Sequence, residues 1–141
     1  MAQLKSLPQP KILVADDSRT IQTIVRRTLE EAGYDVTLAA DGRQAVVAAR
    51  NERPQLVILD ILMPEKDGYA ACFEIREMGD PWKDLPIIFL TKEHTPALDR
   101  LGAEFGAYLP KPIRGDLLLS TVAALLDRTE GSAAAPLAPA V

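Results

Sequence analysis

Five short apolar runs, separated by stretches whose apolar residues recur every three or four positions, leave this chain few ways to fold. The runs are Ile12–Ala15, Val36–Ala39, Leu56–Leu59, Ile87–Leu90 and Ala107–Leu109. The first, third and fourth are nearly continuous Ile, Leu and Val, the pattern of strands covered on both faces. After the first run, Ile21, Ile24, Val25 and Leu29 form one helical stripe, with Ser18 as N-cap and Gly33 as C-cap. An Ala/Val-rich segment, Gly42–Asn51, stops before Arg53-Pro54, and Gly68–Glu77 is broken by Gly79-Asp80-Pro81. Leu98, Leu101 and Phe105 mark a short fourth helix, and Leu118, Val122 and Leu125 a last one beginning near Gly115. Strands and helices that alternate through short links predict a parallel sheet with helices on both faces.

The expected fold class is therefore α/β, a single (βα)5 doubly wound domain. Its strand order, 2-1-3-4-5, is assigned by analogy with flavodoxin-like folds. A length of 141 residues suits one such domain. Residues 1–10 read as an N-terminal extension, 11–128 as the domain, and the Ala/Pro-rich 129–141 as a flexible tail or linker. Sixteen basic against twenty acidic residues give a net charge of −4. That balance argues against direct nucleic-acid binding. No apolar run approaches the roughly 20 residues of a membrane span, and the first ten residues lack a signal-peptide core. One cysteine, Cys72, makes neither an internal disulfide nor a thiolate cage. A cytoplasmic protein without membrane insertion is the expectation.

Ligands of such sheets bind beyond the carboxyl ends of the strands. There the sequence carries Asp16-Asp17, Asp60, Thr91 and Lys111-Pro112. Two carboxylates about 4 Å apart repel by roughly 4 kcal/mol at an effective dielectric near 20. Either a proton is retained or a cation sits among them. All-oxygen donors, with no His or Cys beside them, favour a hard ion such as Mg²⁺. Lys111 adds fixed positive charge and Thr91 a hydroxyl, which suits a doubly charged phosphoryl group. Asp60 is the natural nucleophile.

From about Lys11 to Arg128 the chain resembles the receiver domain of two-component response regulators, in particular the chemotaxis-regulator type. The matching pieces are Ile12-Leu13-Val14-Ala15-Asp16-Asp17-Ser18, Leu59-Asp60-Ile61-Leu62-Met63-Pro64 with Asp67-Gly68, Phe89-Leu90-Thr91, and Tyr108-Leu109-Pro110-Lys111-Pro112. The resemblance implies that Asp60 accepts a phosphoryl group from a sensor histidine kinase or phosphotransfer protein. It implies Mg²⁺ held by Asp17, Asp60 and the Leu62 carbonyl, with Asp16 reaching the ion through water. Thr91 and Lys111 would hold the phosphoryl oxygens, and the Lys111-Pro112 bond would be cis. Thr91 and Tyr108 would form the switch, changing the face of helix four, strand five and helix five for a downstream protein target. In that reading the protein is a switch and no enzyme beyond self-phosphorylation from small donors and self-dephosphorylation.

Two departures from the family stand out. Lys92 follows Thr91 where a small residue borders the site in most receivers. Leu62 and Glu93 occupy the positions that tune dephosphorylation, and Leu62 offers an attacking water no hydrogen bond. Gly106-Ala107 runs directly into Tyr108, so two residues are missing between helix four and strand five. That deficit predicts a shortened or reoriented helix four and puts the Tyr108 switch in question. Singly, each site residue also has an ordinary structural reading: turn or cap for Asp16-Asp17, strand end for Asp60, cap for Thr91, surface lysine for Lys111. Cys72, Trp82, Tyr69, Phe73 and Phe105 read as packing, His94 as a lone loop histidine, and Arg26-Arg27 as too small a basic patch for nucleic acid. The alternatives are a receiver fragment of a longer regulator, a phosphorylation-independent scaffold, an aspartyl-phosphate phosphohydrolase and a flavodoxin. Leu62 stands where the hydrolase needs a general acid. Asp16-Asp17 would repel the flavin phosphate.

Overall fold

The computed structural model of the protein describes residues 9–92 and 95–131, with side chains described as far as Asp127. Five strands and five helices alternate: β1 (Lys11–Ala15), α1 (Arg19–Glu31), β2 (Asp35–Ala39), α2 (Gly42–Glu52), β3 (Leu56–Asp60), α3 (Gly68–Arg76), β4 (Ile87–Thr91), α4 (Pro96–Phe105), β5 (Gly106–Pro110) and α5 (Gly115–Gly131). All strand pairs are parallel and the order is β2-β1-β3-β4-β5. A 3₁₀ turn, Trp82–Asp84, precedes β4. Among the described residues no helix is long and apolar enough to cross a membrane.

Alternating strand side chains divide the interior into two cores. Ile12, Val14, Ile58 and Leu90 face α1 and α5, where Val25, Leu29, Leu118 and Val122 close over them. Leu13, Val57, Leu59 and Phe89 face α2, α3 and α4, against Val46, Ile75 and Phe105. Every residue of β3 and β4 is buried, which explains their unbroken apolar runs.

Four helices begin with a side chain that closes their first turn, each such cap being worth about 1 kcal/mol. Ser18 accepts from the Ile21 amide, Asp41 from Gln44, Asp67 from Ala70 and Thr95 from Leu98.

Three expectations need correction. Ile24 lies at the rim of the α1 stripe and is 44% exposed, because the core closes only over the side that carries Val25 and Leu29. The cap of α1 is Ala32, while Gly33 follows in the left-handed region at φ 98°. Helix α5 continues to Gly131, past the expected domain end at residue 128. Trp82 packs against the core as expected and in addition donates its indole N–H to the Ala49 carbonyl at 2.8 Å. Residues 1–8, Glu93, His94 and the tail from 132 lie outside the described residues.

The two-residue deficit is absorbed at the α4–β5 junction. Helix α4 keeps ten residues and passes into β5 with no intervening loop. Gly106 makes this connection at φ 154°, and a Cβ there would lie 2.3 Å from the Ile87 carbonyl oxygen. Glycine alone fits both demands.

Candidate functional site

Strand register builds the site. Ala15 pairs with Leu59, so the residues that follow, Asp16 and Asp60, emerge side by side at the carboxyl edge. That place is the switch point of the sheet, where the chain leaves β1 for β2 and returns to β3 on the other side. The Ile61 amide donates to the Leu90 carbonyl, tying the end of β3 to β4. The Lys111 amide donates to the Thr91 carbonyl at 2.8 Å, which sets the lysine beside the threonine.

Asp16, Asp60 and Thr91 are the buried polar residues of the described chain, while Asp17 is exposed. Carboxylate oxygens of Asp16, Asp17 and Asp60 all lie within 4.8 Å of one another. Lys111 Nζ lies 3.0 Å from Asp16 Oδ2 and 3.2 Å from Asp60 Oδ1. The Lys111–Pro112 peptide is cis, and so is Asp80–Pro81.

The electrostatics follow from this crowding. Burial, then the Asp16 charge, raises the pKa of Asp60 above the usual value, with Asp17 adding and Lys111 opposing. Burial works against the charge of Lys111, but Asp16 and Asp60 outweigh it and raise its pKa. Three carboxylates share one ammonium here, an excess of negative charge that suits a cation. Oxygen-only donors with an exposed Asp17 fit a partly hydrated Mg²⁺.

The β3–α3 loop is clamped from below. A Cβ on Gly68 would lie 2.4 Å from the Asp60 carbonyl oxygen, so α3 starts directly against the backbone of the central aspartate. Leu62, in that loop, is 76% exposed. Lys92 is exposed at the end of β4. Tyr108 is half-buried on β5, where partial burial, then the charge of Asp99 and a hydrogen bond with its carboxylate, raises the phenol pKa.

A family model for the response regulator receiver domain matches residues 12–123. The chain belongs to the response regulator receiver family. It is 43% identical over 121 residues to Response regulator MprA of Mycolicibacterium vanbaalenii, covering 84% of this chain and 51% of the relative. The MprA protein of Mycobacterium bovis is 41% identical over 127 residues, covering 89% of this chain and 54% of the relative. The chain thus spans about half the length of the curated relatives it matches.

Solved structures agree. The Vibrio cholerae chemotaxis protein CheY4 superposes with a TM-score of 0.77 at 36% identity, covering 84% of this chain and 99% of the other. The receiver domain of sensor histidine kinase PA1611 from Pseudomonas aeruginosa PAO1, described with a magnesium ion coordinated in its active-site cleft, gives 0.74 at 34% identity, covering 84% and 98%. Receiver domains bind Mg²⁺ in an acidic site and interact with histidine kinases or phosphotransfer proteins. They are phospho-acceptor switches.

One residue at the site carries no signal in the sequence reading. Gln22, on α1, donates from its side-chain amide to the Asp16 carbonyl at 2.6 Å. A polar residue one turn past the Ser18 cap was the available hint.

Proposed function

We propose that this receiver accepts a phosphoryl group on Asp60 from a phosphohistidine of a sensor kinase or phosphotransfer protein, and signals through a contact with a protein target. The observation that carries this reading is Lys111 Nζ held between Asp16 and Asp60 at 3.0 and 3.2 Å. One oxygen of Asp60 attacks phosphorus, a P–O bond forms, and the P–N bond to the imidazole breaks. The leaving ring nitrogen keeps the bonding pair while the other ring nitrogen retains its proton, so the ring departs as neutral imidazole. Lys111 then pairs with the transferred group, and the Thr91 hydroxyl donates to one of its oxygens. Asp17, Asp60 and the Leu62 carbonyl would hold Mg²⁺, with Asp16 reaching it through water. Bound there, the ion would neutralise the carboxylates and draw charge from the phosphoryl oxygens.

The new charge biases a two-state element. Thr91 moves toward the phosphoryl group, and Tyr108 leaves Asp99 to follow it. The face of α4, β5 and α5 changes as a result. The lone buried thiol of Cys72 fits a reducing cytoplasm. Because the chain covers about half of its curated relatives, the output of a longer regulator is a second reading of the same switch.

The test is intact mass after incubation with Mg²⁺ and either acetyl phosphate or a phosphohistidine donor. A gain of one phosphoryl group that needs Mg²⁺ and is lost in Asp60→Asn is expected. No gain from either donor would leave a phosphorylation-independent scaffold.

A further inference from the structure

Asp16 is hydrogen-bonded at three polar groups, and its remaining carboxylate oxygen is held by an ion pair alone. Its amide donates to the Ala39 carbonyl at 3.2 Å, and its Oδ1 accepts from the Ser18 amide at 2.9 Å. Its Oδ2 pairs with Lys111, and its carbonyl accepts the short 2.6 Å hydrogen bond from Gln22 Nε2. Three of these contacts fix Asp16 itself. The fourth acts on its neighbour.

A peptide unit is planar, so the direction of the Asp16 carbonyl also fixes the amide nitrogen and Cα of Asp17. Rotation about the Cα–C bond of Asp16 moves the carbonyl oxygen together with the nitrogen and Cα of Asp17, and so carries the Asp17 side chain with it. Asp17 is the exposed member of the carboxylate group, lacking the packing that immobilises Asp16 and Asp60. Its aim therefore depends on the backbone. Gln22 is well placed to hold that backbone. It is the fourth residue of α1, its own amide is bonded to the Ser18 carbonyl at 3.0 Å, and its side chain is half-buried.

We propose that Gln22 is a positioning residue of the metal site. Its side-chain amide sets the Asp16–Asp17 peptide plane and so presents the Asp17 carboxylate to the ion without touching the ion. This inference rests on the proposed Mg²⁺ site. It adds a determinant on α1, outside the strand-end residues from which that site was built.

The experiment is calorimetric titration of the full chain with Mg²⁺, for the wild type, Gln22→Met and Thr28→Val. Met keeps the length of Gln and removes the donor. Thr28→Val removes a different hydrogen bond of the same helix, from Oγ1 to the Ile24 carbonyl at 2.8 Å, far from the carboxylates. Loss of an outer partner of a metal ligand weakens binding about tenfold, the loss expected for Gln22→Met. Thr28→Val should match the wild type. Acetyl-phosphate labelling of Gln22→Met should recover at saturating Mg²⁺, because the acceptor and Lys111 are untouched. Circular dichroism establishes that each variant is folded, and a more conservative Gln22→Asn serves if Met fails to fold. Unchanged Mg²⁺ affinity in the Gln22 variant, or an equal loss in Thr28→Val, would overturn the proposal. A wild type that binds no Mg²⁺ would instead overturn the site reading beneath it.

Discussion

Asp60→Asn should make the metal-free protein more stable at neutral pH, although it deletes the central residue of the site. The substitution removes charge and keeps shape. Oxygens 4.8 Å apart, the outer limit for this group, repel by about 3.5 kcal/mol per pair at an effective dielectric near 20. Lys111 at 3.2 Å returns about 5 kcal/mol on the same scale. That ammonium is shared with Asp16, and Asp17, being exposed, acts through solvent. Attraction and repulsion nearly cancel, and burial decides the balance. The raised pKa of Asp60 gives the sign: folding disfavours its charge. The neutral amide, which carries no charge to bury, should therefore stabilise the folded state relative to the carboxylate.

Urea unfolding in EDTA at pH 7 measures this directly. The midpoint should rise in the variant with the slope unchanged. Added Mg²⁺ should raise the wild-type midpoint more than that of Asp60→Asn, because the ion loses one ligand in the variant. The pH dependence is also specified. Native Asp60 binds its proton more tightly than the unfolded chain does, so its contribution to stability falls as pH rises from 3.8 through the raised native pKa. The variant should lack that fall. Lys111 behaves in the opposite sense to an acid of lowered pKa. Its contribution is full below the unfolded value of 10.5 and is lost as pH rises through the higher native value. A variant less stable than the wild type in EDTA would refute the reasoning.

Lys111→Met should leave Asp16 and Asp60 without their ammonium, lowering stability in EDTA by about 3 kcal/mol, read in the same urea assay. Mg²⁺ should recover part of that loss, while phosphoryl uptake stays impaired because the fixed charge opposite the phosphoryl oxygens is gone. Gly68→Ala should lower stability by about 2 kcal/mol or more and slow labelling of Asp60, because its methyl would press on the Asp60 carbonyl. Lys92→Ala should change the rate of labelling by acetyl phosphate; equal rates would remove Lys92 from access to the site.

The parts of the molecule that repeat were legible in advance. Five apolar runs became five strands, extended by one or two residues, and in the central three burial on both faces leaves a nearly continuous run of Ile, Leu and Val. The strand-end residues were legible for a topological reason: a parallel sheet brings every carboxyl end to one edge. What escaped depends on distances between elements that a spacing pattern cannot carry. The deficit before Tyr108 was visible, but its outcome, a ten-residue α4 meeting β5 at Gly106, follows from how closely Gly106 approaches Ile87. Ile24 looked like core because one residue at the rim of a stripe has the same spacing whether or not anything covers it. Gln22 and Trp82 act through hydrogen bonds to carbonyls of other segments, at Asp16 and Ala49, and acceptors of that kind leave no trace in residue type.

The junction of α4 with β5 has a mechanical consequence. A loop between helix and strand is slack, and slack absorbs small displacements before they travel. Here the last residue of the helix and the first of the strand are chain neighbours, Phe105 and Gly106. Gly102, one turn earlier, rests on the backbone at Ala107 and Tyr108, where a Cβ would come within 3.1 Å of the Tyr108 nitrogen. Strand and helix are thus geared together, and a shift along β5 reaches the axis of α4 with no play between them.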